Sequence, residues 1–392
     1  MLEIGDVRVS KRGIDRMRRG HLWIYRSDIQ DDRNTESGAI VRIRDERGSV
    51  VAHAFYSSQS QIAVRLLARG GDQVPIDGQF FEKRFAAADR LRDRLGVDPN
   101  LSRRIFSEGD LLPGLIVDRY GDRLVTQSLI QSTDRLLPLF KEILDARYRP
   151  KSILLRNDSR VRELEGLPLT QEVVGEPIPD PILINEDGKE LAVGLSSGQK
   201  TGSYLDQREN HQAARRHAFG RALDAFTYTG GFAIQISEMC EHVEAVDISN
   251  ASVEICKDNA ARNGLHNIEC IEANAFDFLR QRFKEGARYD TIILDPPAFA
   301  KNRESLPGAL RGYKEINNRA MRLLKSGGIL ITCSCSHHVT EPIFAEMLAD
   351  AAKDAACWIR VLERRIQASD HPVLLAVPET LYLKCFILQI VY

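Results

Sequence analysis

A chain of 392 residues exceeds one typical domain, so roughly two or three are expected. Lys and Arg number 54 against 55 Asp and Glu, a net charge of −1, so no global charge argues for a partner. No run approaches the roughly twenty apolar residues of a membrane span, the N-terminal MLEIGDVRVS lacks an apolar signal core, and seven cysteines without a paired CxxC read as reduced thiols in a cytoplasmic protein.

Residues 1 to about 75 hold short alternating runs at 3–9, 39–44, 49–56 and 62–67, separated by Gly, Asp and Ser turns, with an Arg-rich helical stretch between the first two. This predicts a small β-rich barrel. Arg12, Arg16, Arg18 and Arg19, with His21, Trp23 and Tyr25, combine phosphate-neutralising charge with stacking rings, as RNA recognition does. A solvated helix face with Trp23 in the core accounts for the same residues. The segment 70–77 reads as a linker, followed by a helix at 79–94 that Gly96 to Pro99 ends. Strands at 115–118, 124–129 and 152–156, a helix at 133–147 and a further strand near 171–174 predict a compact α+β middle domain without a catalytic constellation.

Residues 182–193 alternate around Asp187-Gly188, a hairpin signal. The polar loop 194–211 then carries Lys200, Tyr204, Asp206 and Arg208, distinct polar types that line sites more than they pack. The rest of the chain is organised around RALDAFTYTGGFAIQISEMCEHVEAVDIS at 221–249: strands at 222–226 and 243–246 flank Thr229-Gly230-Gly231 and a helix at 232–239. The glycines let backbone approach a ligand, and Asp247 stands where a ribose hydroxyl pair is taken. The loop lacks the GxGxxG of a pyrophosphate cradle, which leans from a dinucleotide towards S-adenosylmethionine; a purely structural turn is the other reading. Helices at 251–263, 276–283 and 313–324 alternate with strands at 268–272, 290–294 and 329–333, which predicts an open parallel sheet with ligands at its carboxyl edge.

Two strand-end loops carry candidate chemistry. In ILDPPAFAK, 293–301, Pro296 and Pro297 stiffen the backbone and remove two N–H donors, so Asp295 and neighbouring carbonyls are presented rigidly to a planar substrate on which Phe299 is able to stack. In LITCSCSHH, 330–338, an extended strand end puts Cys333 and Cys335 on one face and Ser334 on the other. Three readings stand: a metal site of Cys333, Cys335, His337 and His338; buried inert thiols; and a nucleophile. The third suits a pyrimidine C5, which takes a methyl only after a thiolate adds at C6 and makes C5 an enamine carbon.

The ordered motifs GQKTGSYLDQREN, FTYTGGF, VDIS, LDPPAFAK, RGYKEIN and TCSCSHH, preceded by HLWIY and LPGLIVDRYGD, resemble the PUA-domain 23S ribosomal RNA cytosine-C5 methyltransferases, the large-subunit methyltransferase I family, over nearly the full length. The resemblance implies an α/β fold: an N-terminal β-rich PUA domain at 1–75, a small α+β middle domain at 76–180, and a class I, Rossmann-like methyltransferase domain at 181–392. It implies S-adenosylmethionine as cofactor, 23S ribosomal RNA as partner, and neither a metal centre nor a membrane; a homodimer stays open. Cys335 falls on the family's nucleophile, with Asp295 beside it. Lys200, Thr201, Gly202, Tyr204, Phe226, Thr227, Tyr228, Thr229, Gly230, Asp247, Ile248, Asn274 and Asp295 are implied at the cofactor. Pro296, Pro297, Phe299, Tyr313, Lys314 and the N-terminal Arg12, Arg16, Arg18, Arg19 and Trp23 are implied at the substrate. HLW replaces the usual HPW, Ala298 stands where many RNA cytosine-C5 enzymes carry a second cysteine, and His337-His338 replaces small residues. Methylation of another RNA base atom, or a non-catalytic RNA-binding module, are the alternatives.

Overall fold

The computed structural model of the chain describes residues 4–71, 74–195, 202–300 and 302–392. Its contacts fall into two compact units. The first comprises the chain up to Ile182 with Gly194–Leu205 and Ser369–Thr380; the second comprises Leu183–Val193, Asp206–Ala368 and Leu381–Tyr392.

The first unit holds two sheets. The six-stranded one has the order Trp23–Ile24, Val64–Arg69, Val50–Tyr56, Ile40–Arg44, Ile4–Val9 and Ile29–Asp31. Its four longer strands follow the alternation in the sequence. The two- and three-residue strands are too short to show a period. Ser10 caps the helix Lys11–Arg18 by accepting from the amide of Gly13, and Ile14 and Met17 turn inward while the arginines ring the remaining surface.

The five-stranded sheet runs Thr170–Gly175, Ser152–Asn157, Arg123–Ser128, Leu115–Tyr120 and Leu101–Phe106. Phe81, Phe85 and Phe140, from the helices Gly78–Arg94 and Leu137–Tyr148, fill its core. The single helix expected at 133–147 is two, Gln131–Arg135 and Leu137–Tyr148. Pro138 is the cause: its ring bars the preceding residue from helical backbone continuity and suits the first turn of a new helix.

The second unit opens with the hairpin Ile182–Glu186 and Lys189–Val193, turned by Asp187 and Gly188 at φ of 52° and 86°. Its seven-stranded sheet has the order Ile268–Glu272, Cys240–Asp247, Gly220–Ala225, Tyr289–Leu294, Leu324–Ser334, Lys384–Val391 and Trp358–Arg365. The first five run parallel and the last two pair antiparallel, the arrangement of a class I, Rossmann-like methyltransferase. Strand order reverses across Gly220–Ala225 and Tyr289–Leu294, so the loops after these strands flank the crevice where doubly wound sheets bind ligands.

Candidate active site

The loop after Gly220–Ala225 is bent into a conformation that side chains disfavour. Phe226 and Tyr228 have φ of 70° and 52°, and Gly230 reaches 92°. The loop is held by Asp247, whose carboxylate accepts from the amides of Tyr228 and Ser249, each at 2.9 Å. Tyr228 and Asp247 are therefore brought together, as the βαβ reading requires. A side chain at Gly230 would press on the Cys256 sulfur at 2.8 Å. Next to Asp247, Ile248 is 68% exposed, an uncovered apolar surface at a strand's carboxyl end. Asn274 uses its side-chain oxygen to cap the helix Ala275–Lys284, accepting from Phe276 at 3.0 Å, which leaves its NH2 for a ligand. Gly202 and Tyr204 belong to the first unit, while Lys200 and Thr201 lie outside the described residues.

Behind this loop sit three acidic and basic groups that the sequence reading passed over. Asp224 is fully buried: one carboxylate oxygen accepts from Thr227 Oγ1 at 2.6 Å and Ala233 N at 3.0 Å, and the other has no hydrogen-bond partner. Burial pushes its carboxyl up to about 7, against the hydrogen bonds from Thr227 and Ala233. The His211 ring lies against Gly231, and its Nδ1 is 2.7 Å from the buried Glu186 carboxylate. Burial alone would lower the His211 pKa, but Glu186, with Asp295 and Asp224 further off, raises it. Both an acid inside an apolar strand, as in ALDAF, and a histidine opposite a hairpin carboxylate are visible only once packing is known; the first leaves a trace as a charge interrupting a hydrophobic run.

At the next strand ends, Cys333 and Cys335 separate. Cys333 is fully buried and lies opposite Cys385 in the antiparallel register. Cys335 is half-buried, with its sulfur 3.9 Å from the carbonyl oxygen of Pro296 on the Asp295 loop. The two sequence-predicted loops thus meet. Pro296 is buried and Pro297 exposed, with Phe299 half-buried against Tyr313 at a ring distance of 4.6 Å. Tyr313 itself is 0% exposed and presents no surface to a substrate. Its hydroxyl bridges Ser334 and Ser336, each at 3.0 Å, so it locks the residues on either side of Cys335 from behind. Lys314 pairs with Asp354 at 2.9 Å. A direct substrate contact by Tyr313, expected from its motif, is therefore corrected to a supporting role. Cys333, Cys335, His337 and His338 do not converge; among the described residues the one metal-like cluster is His242, Glu244 and Glu269, whose Glu244 is engaged by Arg221, Arg282 and Tyr289.

Residues 156–383 match the family model of S-adenosylmethionine-dependent methyltransferases, and residues 7–69 match a PUA-like domain. A ribosomal RNA large subunit methyltransferase I of Erwinia tasmaniensis is 40% identical over 381 residues, 95% of this chain and 96% of the relative; one of Yersinia pseudotuberculosis is 40% identical over 380 residues, with 95% and 96% covered. The chain belongs to the large-subunit methyltransferase I family. Among solved structures, SMU.776 complexed with SAH superposes with a TM-score of 0.83 at 19% identity, covering 98% of this chain and 100% of that one, which supports the fold.

The methyltransferase's cofactor is S-adenosylmethionine, and its pocket residues fit that ligand. A buried carboxylate oxygen without a partner suits an ammonium, a carboxylate at the second strand suits a ribose, and an exposed aliphatic beside it suits a flat base. No backbone cradle of the pyrophosphate type is needed for a sulfonium ligand.

On the PUA-like domain, the arginines expected to face RNA differ in availability. Arg12 donates to Asp28 at 2.6 Å, a carboxylate only 1% exposed, and Arg16 lies over the Tyr25 ring at 4.5 Å. Arg18 is two-thirds exposed and only 3.7 Å from Asp15, a loose pair. The Trp23 indole N–H donates to Glu108 at 2.9 Å, so this ring is tethered within its own unit. Lys11, Arg12, Arg16, Arg19 and His21 line an open depression of about 570 Å³ together with Asp15 and Ala376.

Proposed function

We propose that the protein methylates C5 of a cytosine in 23S ribosomal RNA, with Cys335 as the covalent nucleophile and Asp295 holding the N3/N4 edge of the base. The observation that carries this reading is the meeting of the two loops: the half-buried Cys335 sulfur lies 3.9 Å from the carbonyl of Pro296, the residue after Asp295. The relatives' name, ribosomal RNA large subunit methyltransferase I, supports the RNA class, and the PUA-like domain matched at 7–69 is where that RNA would bind.

When bound, S-adenosylmethionine supplies an electrophilic methyl group. Asp247 would take the ribose hydroxyls, Ile248 would lie on the adenine, the Asn274 amide would meet a ring acceptor, and the unpartnered oxygen of Asp224 would receive the ammonium. The bent backbone of Phe226, Thr227, Tyr228, Thr229 and Gly230 would wrap this end. The Cys335 thiolate adds to C6 of the cytosine, and the ring electrons move to C5 as an enamine. C5 would then take the methyl as its bond to the sulfonium sulfur breaks, and loss of the C5 proton to solvent would restore the C5–C6 double bond and expel the thiolate.

Incubation with labelled S-adenosylmethionine and 23S RNA, followed by mass mapping, should place 5-methylcytosine at one site. Cys335→Ala should lose at least about a thousandfold in rate with cofactor affinity intact. A 5-fluorocytosine RNA should form a stable adduct with the wild type. Undiminished methylation by Cys335→Ala would refute the covalent route, and a methylated purine would move the reaction to another base atom.

A further inference from the structure

The methyl-transfer chemistry leaves the buried charge of Lys384 without an assigned task. Lys384 stands in the C-terminal strand Lys384–Val391 and is 3% exposed. Its ammonium donates to the carbonyl of Ser336 at 2.7 Å and that of Tyr382 at 2.9 Å, and among the described residues no carboxylate stands in ion-pair range. An ammonium held out of water with carbonyls alone is costly, by several kcal/mol in ordinary cases. Ser336 is the residue after Cys335, so the first of these hydrogen bonds grips the loop that carries the sulfur. A negative charge on the Cys335 sulfur would favour the ammonium form of this amine. Burial lowers Lys384 to about 8, and Cys335 works in the opposite direction.

We propose that Lys384 is a positioning residue for Cys335: it clamps the 335–336 turn through the Ser336 carbonyl and serves as the counter-ion of the thiolate. The inference rests on Cys335 being the nucleophile. Other titratable groups stand on the elements around this turn. Asp295 lies on the loop after Tyr289–Leu294, Tyr313 on the helix Leu306–Leu323, Cys333 and Cys385 opposite one another in the sheet, and His337 and His338 on the sulfur's own loop. Burial keeps the Tyr313 hydroxyl neutral, so the buried ammonium of Lys384 beside the 335–336 turn has a clear task. The thiol proton leaves to solvent; the sulfur's electron pair moves to C6 and returns on expulsion, and Lys384 stays charged throughout.

The test is the pH dependence of Cys335 alkylation by iodoacetamide in the full-length protein without cofactor, followed on the Cys335 peptide by mass spectrometry. The wild-type midpoint should fall about one pH unit or more below the ~8.5 of a free thiol. Lys384→Met should raise it, cutting the alkylation rate at pH 7 about tenfold, and Lys384→Arg should recover part of that loss. A wild-type midpoint at or above the free-thiol value overturns the proposal even if no variant folds, and so does a Lys384→Met midpoint equal to wild type. Full methylation by Cys335→Ala would instead remove the nucleophile assignment while leaving the alkylation result to stand on its own.

Discussion

Asp224 interrupts the apolar strand Gly220–Ala225 with a carboxyl that burial lifts to about 7, from a usual value near 3.8. That shift fixes the sign of its pH effect. Between about pH 4 and 7 the folded protein holds a proton that the unfolded chain has released, so this group's contribution to stability falls as pH rises through that window and is flat above it. The slope at its steepest is about 1.4 kcal/mol per pH unit. Urea denaturation of wild type should show this decline, and Asp224→Asn should flatten it. Asparagine keeps an oxygen for Thr227 and Ala233 but puts an NH2 where the ligand's ammonium is expected. Cofactor affinity should therefore drop about tenfold in the variant, and in the wild type it should strengthen from pH 6 to 8 as Asp224 ionises; calorimetry across that range checks both. Asp224 and Lys384 share a sequence trace, a charge set in a hydrophobic strand, which periodicity counts as noise. The strand-end positions of Cys335 and Asp295 were legible from their motifs, whereas the burial of Tyr313 was not, since a tyrosine's period in a helix does not say how deep its neighbours lie.

The elements themselves followed the hydrophobic pattern closely where they were long: the strand Ile268–Glu272 and the hairpin around Asp187-Gly188 lie where alternation and turn chemistry put them. They departed where a single residue overrode the period, as Pro138 did by splitting a helix, or where a strand was too short to have one, as with Trp23–Ile24. The cofactor loop is the element with the least tolerance. At Gly230 a φ of 92° and a sulfur 2.8 Å from any added Cβ both exclude a side chain. Gly230→Ala should cost about 1–3 kcal/mol in urea denaturation and weaken the cofactor, and Cys256→Gly in that background should return part of the stability but not all, because the φ remains. The helix Lys11–Arg18 offers a contrast between neighbours of one residue type. Arg12→Ala takes the guanidinium from the buried Asp28, leaving it the Ser10 hydroxyl, and should lower stability by about 1–3 kcal/mol. Arg18→Ala should leave stability alone and, if the helix meets RNA phosphates, weaken RNA binding evenly across sequences, with the log-log salt slope falling by roughly 0.7–0.9. Melting curves and filter binding at several salt concentrations separate the two.

At the scale of the whole molecule, chain order and spatial membership disagree. The first unit recovers residues Ser369–Thr380 from far down the chain, and nothing in HPVLLAVPET, with neither a helical nor a strand period, announces it. Only the contacts explain the return. Arg92, fully buried and paired with Asp110, donates to the Asp370 carbonyl at 2.6 Å; the Asp370 carboxylate accepts from the Arg103 amide at 2.9 Å; His371 lies against the Phe106 ring; and Val377 is buried in the N-terminal core. A fragment ending at Ile182 would therefore leave a buried guanidinium short of an acceptor and open a gap beside Ile14 and Met17. Those losses amount to about 2–4 kcal/mol, and a domain of this size melts about 2–4 °C lower for each kcal/mol. The fragment should accordingly melt about 5–15 °C below one in which residues 369–380 are appended through a flexible linker, as read by circular dichroism. Equal melting of the two fragments would mean that the returning segment merely rests on a unit already complete without it.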